Sequence, residues 1–456
     1  MNRRGGLSRE IRVLYLMPSR IGRGWGDVSE LARFARVLSR TSRTVAWVPP
    51  TAIPRSDPRV EPVDPARTPL PFPPLQRWSQ PRGKGSAVVL ITWWGVTGRR
   101  VDEQGRPLPG PWASTLEVVR AHHGRDRTLV VSLEEFASAR TAREVLTQML
   151  WSSGERAQEV PAHLSGPEGT EFLERYRRAY RTYRGLSAPH VLHVVTSFRF
   201  DEGAWREFPE MLQVGPAWGH PPRRAFTVTS GRWRILWYAS PPSSLPFARR
   251  LTLALRTLKK PMELHIRGAL GGERGSLASG PARGLEIRFH RELRETAWRR
   301  LRQGCRLIIT TGSQSLLECL DRGQPFLYFN GIRRTRRGWR PDRPEKIESL
   351  LRAREGIGAD ATVSRDLRDF AAGRNLRRVL GRALMDPLWR ADVVRRPSVG
   401  MFPLEAANGG LFVARLLRRF ETFSGPVDLF VQRERERYRQ AVRDPRRPPD
   451  RTGEFH

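Results

Sequence analysis

The stretch that most constrains the fold of this chain is residues 307–328, LIITTGSQSLLECLDRGQPFLY. It begins with an apolar segment, passes through a turn that contains Gly312, and continues as a helical pattern that starts near Ser313. Gly323 and Pro325 end the helical pattern, and a second apolar segment follows. A strand, a glycine turn, a helix and a strand in so few residues predict a βαβ unit of a parallel sheet.

The predicted helix has two features that suit a nucleotide. Its first turn presents free backbone amides and the positive end of the helix dipole, which favour a phosphate. Glu318 lies on its second turn, where a carboxylate can accept hydrogen bonds from both hydroxyls of a ribose. The alternative is an ordinary βαβ unit with a solvated Glu318, and the pattern alone leaves both interpretations open.

The alternation of strands and helices occurs in two series along the 456 residues, a length that suits two or three domains. The first series starts with an apolar segment at 11–17, and the second starts with another at 234–238. We therefore predict an α/β protein of two doubly wound, Rossmann-like domains that face a cleft. The predicted boundaries are an N-terminal domain at 1–225 with an irregular Pro-rich loop at 49–85, a C-terminal domain at 226–425, and a charged, disordered tail at 426–456.

The net charge bears on possible partners. A formal charge of +35 is extreme and would attract nucleic acid, anionic lipid or phosphorylated substrates. Nearly all of the 81 basic residues are arginine, and they are spread along the whole chain, which is also typical of a GC-rich coding sequence. Nucleic acid is therefore not an expected partner, whereas peripheral contact with an anionic membrane surface stays an open alternative.

Cysteine usage and hydropathy bear on the compartment. Cys305 and Cys319 are the two cysteines of the chain, which is too few for a disulfide framework or a cysteine zinc site. No apolar run approaches the roughly 20 residues that span a bilayer, and the N-terminus lacks the pattern of a signal peptide. We expect a cytoplasmic protein, with peripheral binding at the inner face of the membrane as the alternative.

Three segments, in the right order, resemble the motifs of GT-B glycosyltransferases. Residues 310–318, TTGSQSLLE, resemble the donor motif His-Gly-Gly-x-x-Ser/Thr-x-x-Glu. Residues 21–38, IGRGWGDVSELARFARVL, resemble the glycine-rich first loop and helix, and residues 210–221, EMLQVGPAWGHP, resemble the Val-Gly-Pro segment that ends the first domain. The likeness is nearest to the macrolide-type and peptidoglycan-type nucleotide-sugar transferases. It covers most of residues 10–420 and is weak in 50–190.

The resemblance implies an enzyme that moves a sugar from a nucleotide-diphosphate donor, with UDP as one candidate, to a small-molecule or lipid-linked acceptor. It implies no metal and no bound cofactor, because helix dipoles and basic side chains offset the charge of the leaving diphosphate. The implied donor-binding residues are Ser240, Thr310, Thr311, Gly312, Ser313, Gln314, Ser315 and Glu318. In this set the amides of 313–315 and the Ser315 hydroxyl would contact the diphosphate, and Glu318 would accept from the ribose. The implied acceptor-side loop contains Gly22, Gly24 and Gly26.

Two positions depart from the family pattern. Thr310 stands where the donor motif has His, which removes one diphosphate contact. Asp27 stands where the first loop commonly has the His that serves as general base. Asp27 could be that base, but at the start of a helix it is better suited to capping, where its pKa would be lowered. Four histidines are candidates to replace the missing one: His122, His123, His193 and His290, of which His193 is better explained as a core residue.

Further alternatives follow from the same residues. The segment Arg343-Pro344-Glu345 is similar to a motif of the GT-B sugar-nucleotide epimerases, although its distance from Pro325 does not fit that family. The departures at Thr310 and Asp27 are also compatible with a degenerate, non-catalytic protein that binds ligand. Arginines 333, 334, 336 and 337 follow the donor strand in a predicted loop that either contacts the diphosphate or is simply solvated.

Overall fold

A computed structural model gives the fold. The structure describes residues 11–16, 20–21, 26–39, 45–48, 60–61, 75–78, 86–91, 113–134, 170, 174, 181, 186, 188–198, 200, 202–217, 232–239, 245–268, 284–290, 295–335, 338–341, 345–396 and 402–444. The chain divides into two compact units: unit 1 contains Met1–Trp218 and Phe402–His456, and unit 2 contains Gly219–Met401.

The strands in chain order are β1 Ile11–Leu16, β2 Arg20–Ile21, β3 Val45–Val48, β4 Val60–Glu61, β5 Gln76–Arg77, β6 Ser86–Ile91, β7 Thr128–Glu134, β8 Val191–Thr196, β9 Met211–Val214, β10 Trp233–Ala239, β11 Met262–Gly268, β12 Leu285–His290, β13 Leu307–Thr310, β14 Phe326–Tyr328, β15 Ile332–Thr335 and β16 Gly338–Pro341. The helices are α1 Gly26–Leu38, α2 Ala113–His123, α3 Glu202–Glu207, α4 Leu245–Arg256, α5 Glu295–Gln303, α6 Ser313–Asp321, α7 Glu345–Gly356, α8 Ala361–Ala371, α9 Leu376–Met385, α10 Pro387–Val393, α11 Gly409–Thr422 and α12 Val427–Arg443.

Unit 1 is built on a parallel sheet with the strand order β5-β3-β1-β6-β7-β8-β9. Strands β6 and β8 are buried along their whole length, as expected for a sheet covered on both faces. Leu116 and Val119 of α2 pack against one face, next to Val89 and Val130. On the other face, Phe34 of α1 and the start of α11 lie close to β9. Helices on both faces make this unit doubly wound.

Helices α11 and α12 complete unit 1 rather than unit 2. The backbones of Gly215 and Gly409 meet directly, and the Gly409 amide donates to the Gly215 carbonyl at 2.9 Å. A Cβ on Gly215 would lie 2.1 Å from the Ala407 carbonyl oxygen, so this approach requires glycine. The Tyr438 hydroxyl of α12 donates to the carbonyl of Gln213. These contacts place the C-terminal helices beside the last strand of the first sheet.

Unit 2 is built on a parallel sheet with the strand order β12-β11-β10-β13-β14. Successive residues of β10 point to opposite faces. On one face the ring of Trp237 contacts Phe247 of α4, with centroids 5.6 Å apart. On the other face Tyr238 contacts Trp298 of α5, with centroids 5.0 Å apart. Unit 2 is therefore doubly wound as well, and the predicted class of two doubly wound α/β domains is confirmed.

Two predictions about organisation are wrong, and a third lies mostly outside the described residues. The segment from Phe402 onward belongs to unit 1, so the predicted C-terminal domain at 226–425 ends too late. The predicted disordered tail contains helix α12, because Phe430 and Tyr438 form part of a buried apolar stripe that alternating charges obscure in the sequence. Within the predicted irregular loop at 49–85 the structure describes the two-residue strands β4 and β5 and their neighbours 75 and 78, and the remainder lies outside the described residues.

In the part of the chain that the structure describes, no helix combines the length and the apolar character that crossing a bilayer requires. Cys305 and Cys319 are both buried thiols, and burial raises the pKa of the Cys305 thiol to about 12. A thiol with so high a pKa stays protonated at neutral pH and is a poor nucleophile.

Candidate functional site

The strand order of unit 2 defines a switch point between β10 and β13. Strands β11 and β12 continue the sheet on one side of this pair, and β14 continues it on the other. In open parallel sheets the connections diverge at such a point, and a crevice forms outside the carboxyl ends of the two strands. Strand β10 ends at Ala239, directly before the predicted Ser240, which lies outside the described residues. Strand β13 ends at Thr310, directly before the turn that leads into α6.

Helix α6 begins at this edge with an open N-terminus. Gly312 is its N-cap residue, has extended backbone angles (φ −114°, ψ 157°), and provides no side-chain cap. The amides of the following first turn have no carbonyl partner within the helix. Among the described residues, a Cβ on Gly312 would meet the Ser315 hydroxyl oxygen alone, at an ordinary 3.9 Å. The space above Gly312 is therefore open, as close approach of a phosphate requires.

Two of the predicted hydroxyl contacts do not face this space. Thr310 is completely buried, and its hydroxyl donates to the Leu327 carbonyl of β14 at 3.5 Å, because the last residue of β13 is still paired inside the sheet. The Thr310 hydroxyl is therefore turned away from the space above Gly312, and the contact of this residue with the donor stays a prediction. The Ser315 hydroxyl donates to the Gly312 carbonyl at 2.9 Å and so closes the first turn instead of pointing outward. Thr311 and Gly312 are half-buried in the turn. Ser313 and Gln314 start α6, and their side chains lie outside the described part.

Glu318 lies on the second turn of α6, on the same side of the helix as Ser315 because residues three apart share a face. At a rise of about 1.5 Å per residue it stands roughly 9 Å along the axis from Gly312. Its side chain is 28% exposed. One carboxylate oxygen, Oε2, accepts a hydrogen bond from Nη1 of Arg302. Glu318 is therefore a half-buried, ion-paired carboxylate at the rim of the candidate site, and not a freely solvated one.

Arg302 belongs to this site, although the sequence analysis did not identify it. The residue lies on α5, and its side chain is only 2% exposed. It is four residues after the buried Trp298, at a position where the amphipathic pattern of α5 calls for an apolar side chain. A charged residue at a buried position needs a partner. The position of Arg302 on the apolar face of α5 could therefore have identified it as a residue with a buried ion-pair partner.

The basic segment after β14 has a different structure from the predicted loop. Strands β15 and β16 form an antiparallel hairpin in which Arg333 pairs with Arg340 and Arg334 pairs with Trp339. The loop prediction is wrong for residues 333 and 334, because both lie in β15 and pair with residues of β16. Residues 336 and 337 lie outside the described part, and so does the predicted epimerase-like segment except for Glu345, which starts α7.

The sheet of unit 1 has a corresponding switch point between β1 and β6. Of the predicted acceptor-side residues, Gly22 and Gly24 lie outside the described part, and Gly26 starts α1. Asp27 is the second residue of α1, and its side chain is not among those described, so both its capping role and its catalytic role stay predictions. Tyr15, which the sequence analysis missed, lies at the carboxyl end of β1, with its hydroxyl buried and without a partner among the described residues.

The four candidate histidines occupy different places. His193 is completely buried in β8, so its interpretation as a core residue is confirmed. His122 and His123 stack edge-on, with centroids 4.8 Å apart, in the last turn of α2. That turn leads into the start of β7, at the sheet edge opposite to the carboxyl ends of the strands. The structure therefore does not bring His122 or His123 to a candidate site.

His290 ends β12 at the carboxyl edge of the unit 2 sheet and takes part in a buried polar chain. Its Nε2 lies 2.9 Å from Nδ1 of His265, and Nε2 of His265 lies 3.3 Å from Oε2 of Glu263. Burial lowers the pKa of both histidines, and for His290 the nearby Arg288 lowers it further. Both rings are therefore neutral at pH 7. With two strand spacings between β12 and β10, His290 lies about 10 Å from the switch point.

Among the described residues, no group of three or more His, Cys, Asp or Glu side chains is arranged to hold a metal ion. Within the described part of the chain, the polar groups that α6 and the turn before it contribute near the switch point are those of Gly312, Ser315 and Glu318, and Arg302 pairs with Glu318 from the last turn of α5. They provide backbone amides for an anion at the start of α6 and a carboxylate for hydroxyl groups on its second turn.

Comparison with known proteins gives similarity at the level of solved structures. No protein-family model matches the chain, and no curated protein matches it. MurG from Acinetobacter baumannii has a TM-score of 0.41 and 14% identity, over 90% of this chain and 99% of that one. A UDP-glucosyltransferase from Polygonum tinctorium has a TM-score of 0.45 and 13% identity, over 91% and 100%. The kitacinnamycin glycosyltransferase has a TM-score of 0.44 and 14% identity, over 90% and 98%.

Proposed function

We propose that this protein is a glycosyltransferase that moves a sugar from a nucleoside-diphosphate donor to an acceptor hydroxyl, and that unit 2 binds the donor. One observation carries the proposal: at the switch point of unit 2, a helix starts with open space above Gly312 and places Glu318 on its second turn. This arrangement separates an anion-binding group from a hydroxyl-binding group by about 9 Å along one rigid element. The diphosphate and the ribose of a nucleotide need such a pair.

In the proposed complex the donor diphosphate lies against the amides of residues 313–315, and the helix dipole stabilises its charge. The ribose hydroxyls donate to Glu318. During transfer the acceptor oxygen bonds to the anomeric carbon, the bond from that carbon to the diphosphate oxygen breaks, and the acceptor proton passes to a base. The first turn of α6 then stabilises the additional charge on the departing nucleoside diphosphate, without a metal ion. Asp27 is the proposed base, on the strength of the sequence resemblance alone.

A second candidate is a non-catalytic protein that binds a nucleotide sugar. The observation that favours it is the burial of Thr310, since the family places a diphosphate-contacting His at this position and Thr310 directs its hydroxyl into the sheet. Release of sugar or nucleoside diphosphate from donor by the wild type, absent in a donor-site variant, distinguishes the enzyme from the binding protein. Formation of an epimerised nucleotide sugar in the absence of acceptor would identify the epimerase alternative.

The proposal is tested by thermal unfolding with UDP, GDP, ADP, CDP and dTDP at about 1 mM. A ligand at 100 times its dissociation constant stabilises the folded state by about 2.7 kcal/mol, which is a shift of several degrees. We expect at least one nucleotide to give such a shift. Absence of a shift with every nucleotide contradicts the proposal.

Gly312→Ala gives a selective second arm of this test. The new methyl group makes an ordinary contact within the protein but fills the space that the phosphate would occupy. We therefore expect the variant to fold normally and to lose the nucleotide-dependent shift. The matched control is Gly381→Ala on α9 of the same unit, where a methyl group also meets side-chain atoms at 3.4 Å or beyond. The control should keep the shift, and equal responses of both variants would place the nucleotide elsewhere.

A further inference from the structure

Arg302 connects three separate segments of unit 2 through one buried guanidinium group. Its Nε donates to the side-chain oxygen of Gln324 at 3.0 Å, and its Nη2 lies 3.5 Å from the sulfur of Cys319. Its Nη1 donates to Oε2 of Glu318. Gln324 in turn donates to the Arg302 carbonyl at 2.6 Å, so the side chain and the backbone of Arg302 are both held by the same residue.

This arrangement restricts the Glu318 carboxylate. The guanidinium is planar and rigid, and contacts at each of its three nitrogens leave it no freedom to rotate. Gln324 is 1% exposed and Arg302 2% exposed, so water does not compete for these hydrogen bonds. The Glu318 oxygen that faces Arg302 is therefore fixed, and the orientation of the whole carboxylate follows. Among the described residues, no donor reaches the other oxygen, Oε1.

We propose that Arg302 is the positioning residue that orients Glu318 toward the ribose, and that it thereby gives the site its preference for ribonucleotides over 2′-deoxyribonucleotides. This inference rests on the proposed function, because it takes Glu318 as the ribose contact. Arg302 touches no substrate itself. It holds Oε2 so that Oε1 projects from the rim of the site and accepts from the ribose, in a charge-assisted hydrogen bond that a 2′-deoxyribose only partly replaces.

The competing explanation is that the pair serves stability alone, as many buried ion pairs do. A purely structural pair lowers the amount of folded protein when it is broken, but it does not change the ratio of affinities for two ligands that differ by one hydroxyl group. The ratio of dissociation constants for UDP and 2′-deoxy-UDP, and for GDP and 2′-deoxy-GDP, is therefore the informative measurement.

The experiment is calorimetric titration of the full chain with these two nucleotide pairs. For the wild type we expect the dissociation constant of the ribonucleotide to be at least about tenfold lower than that of its 2′-deoxy counterpart. The reason is that the 2′-deoxy form lacks a hydrogen bond to a charged group. For Arg302→Met and Gln324→Leu the preference should fall to within about twofold. Arg302→Lys keeps the charge but cannot contact three acceptors in one plane, so its preference should be intermediate. Gln324→Leu and Arg302→Lys keep the test decisive if Arg302→Met does not fold.

Arg354→Met is the matched control. Arg354 is also completely buried in unit 2 and ion-paired, with Asp392, but it lies on α7, and its side-chain hydrogen bonds among the described residues go to α10. This variant should lose stability and keep the ribose preference. Retention of the wild-type preference in all three Arg302 and Gln324 variants overturns the inference while the proposed function stands. A wild type that binds nucleotide with no ribose preference also overturns it. A wild type that binds none of the four probes and is not stabilised by ADP, CDP or dTDP refutes the proposed function and this inference together.

Discussion

Replacement of Glu318 by alanine should destabilise unit 2 because it leaves the guanidinium of Arg302 buried without its charge partner. Arg302 is 2% exposed, and removing one member of a buried ion pair generally costs about 3–5 kcal/mol. Glu318 itself is 28% exposed, so water can enter part of the vacated volume and solvate Nη1. We therefore expect a loss near the lower limit, about 3 kcal/mol, which changes the folding equilibrium by more than 100-fold.

Two further variants separate the ion pair from other effects of the substitution. Glu318→Gln retains a side-chain oxygen that can accept from Arg302, so it should cost about 1–2 kcal/mol. The double variant Arg302→Met with Glu318→Ala leaves no buried charge, and it should be more stable than Glu318→Ala alone. The coupling between the two positions, obtained from the double-mutant cycle, should exceed about 1 kcal/mol.

The assay is urea unfolding, with hydrogen exchange of peptides from β13 and α6 to assign the transition to unit 2. With a denaturant slope of about 2 kcal/mol per molar urea, the alanine variant should unfold about 1.5 M earlier than the wild type. A midpoint within about 0.3 M of the wild type, or a double variant no more stable than Glu318→Ala, would show that the guanidinium has another partner or is solvated. Functional tests of Glu318 are consequently better made with Gln than with Ala.

Three further predictions concern glycines and histidines. Gly215→Ala should destabilise unit 1 by about 2 kcal/mol or more, measured by urea unfolding, because its Cβ would lie 2.1 Å from the Ala407 carbonyl oxygen. Gly312→Ala, with ordinary extended backbone angles and open space, should change stability by less than about 1 kcal/mol in the same assay. Burial lowers the pKa of His265 and His290, so below about pH 6.5 the unfolded chain binds more protons than the folded one. Stability should therefore fall as the pH drops from 7.5 to 5.5, and less steeply in His290→Gln; equal slopes would show that the pair does not titrate on unfolding.

Much of the fold could be predicted because the buried strands of a parallel sheet appear in the sequence as short apolar segments. The βαβ unit at 307–328 is present as β13, α6 and β14. The sequence was less informative at the C-terminus. The many charged residues of α12 obscure its buried apolar face, from which Tyr438 donates a hydrogen bond to Gln213 of the first sheet. The return of the chain to unit 1 depends on the close contact of Gly215 and Gly409, and residues so far apart in sequence carry no local signal of that contact.

The candidate site divides in the same way. The open helix N-terminus at Gly312 could be predicted from the sequence. A strand followed by a glycine turn and then a helix places the free amides of that helix at the carboxyl edge of the sheet. The directions of the side chains could not be predicted in this way. Thr310 is buried because its strand is paired with β14, and its hydroxyl donates to the Leu327 carbonyl of that strand. The Ser315 hydroxyl donates to the Gly312 carbonyl of its own helical turn.

The amino-acid order alone is enough to predict two series of strands and helices and, in residues 310–318, a helix start that suits a phosphate followed by a carboxylate. Local spacing decides these properties, since they depend on residues within one or two helical turns. The three-dimensional packing was needed to show that β10 and β13 are neighbours at a switch point and that Arg302 pairs with Glu318. Strand order and buried ion pairs join segments distant in sequence, and packing in three dimensions selects among the many pairings that the same local patterns permit.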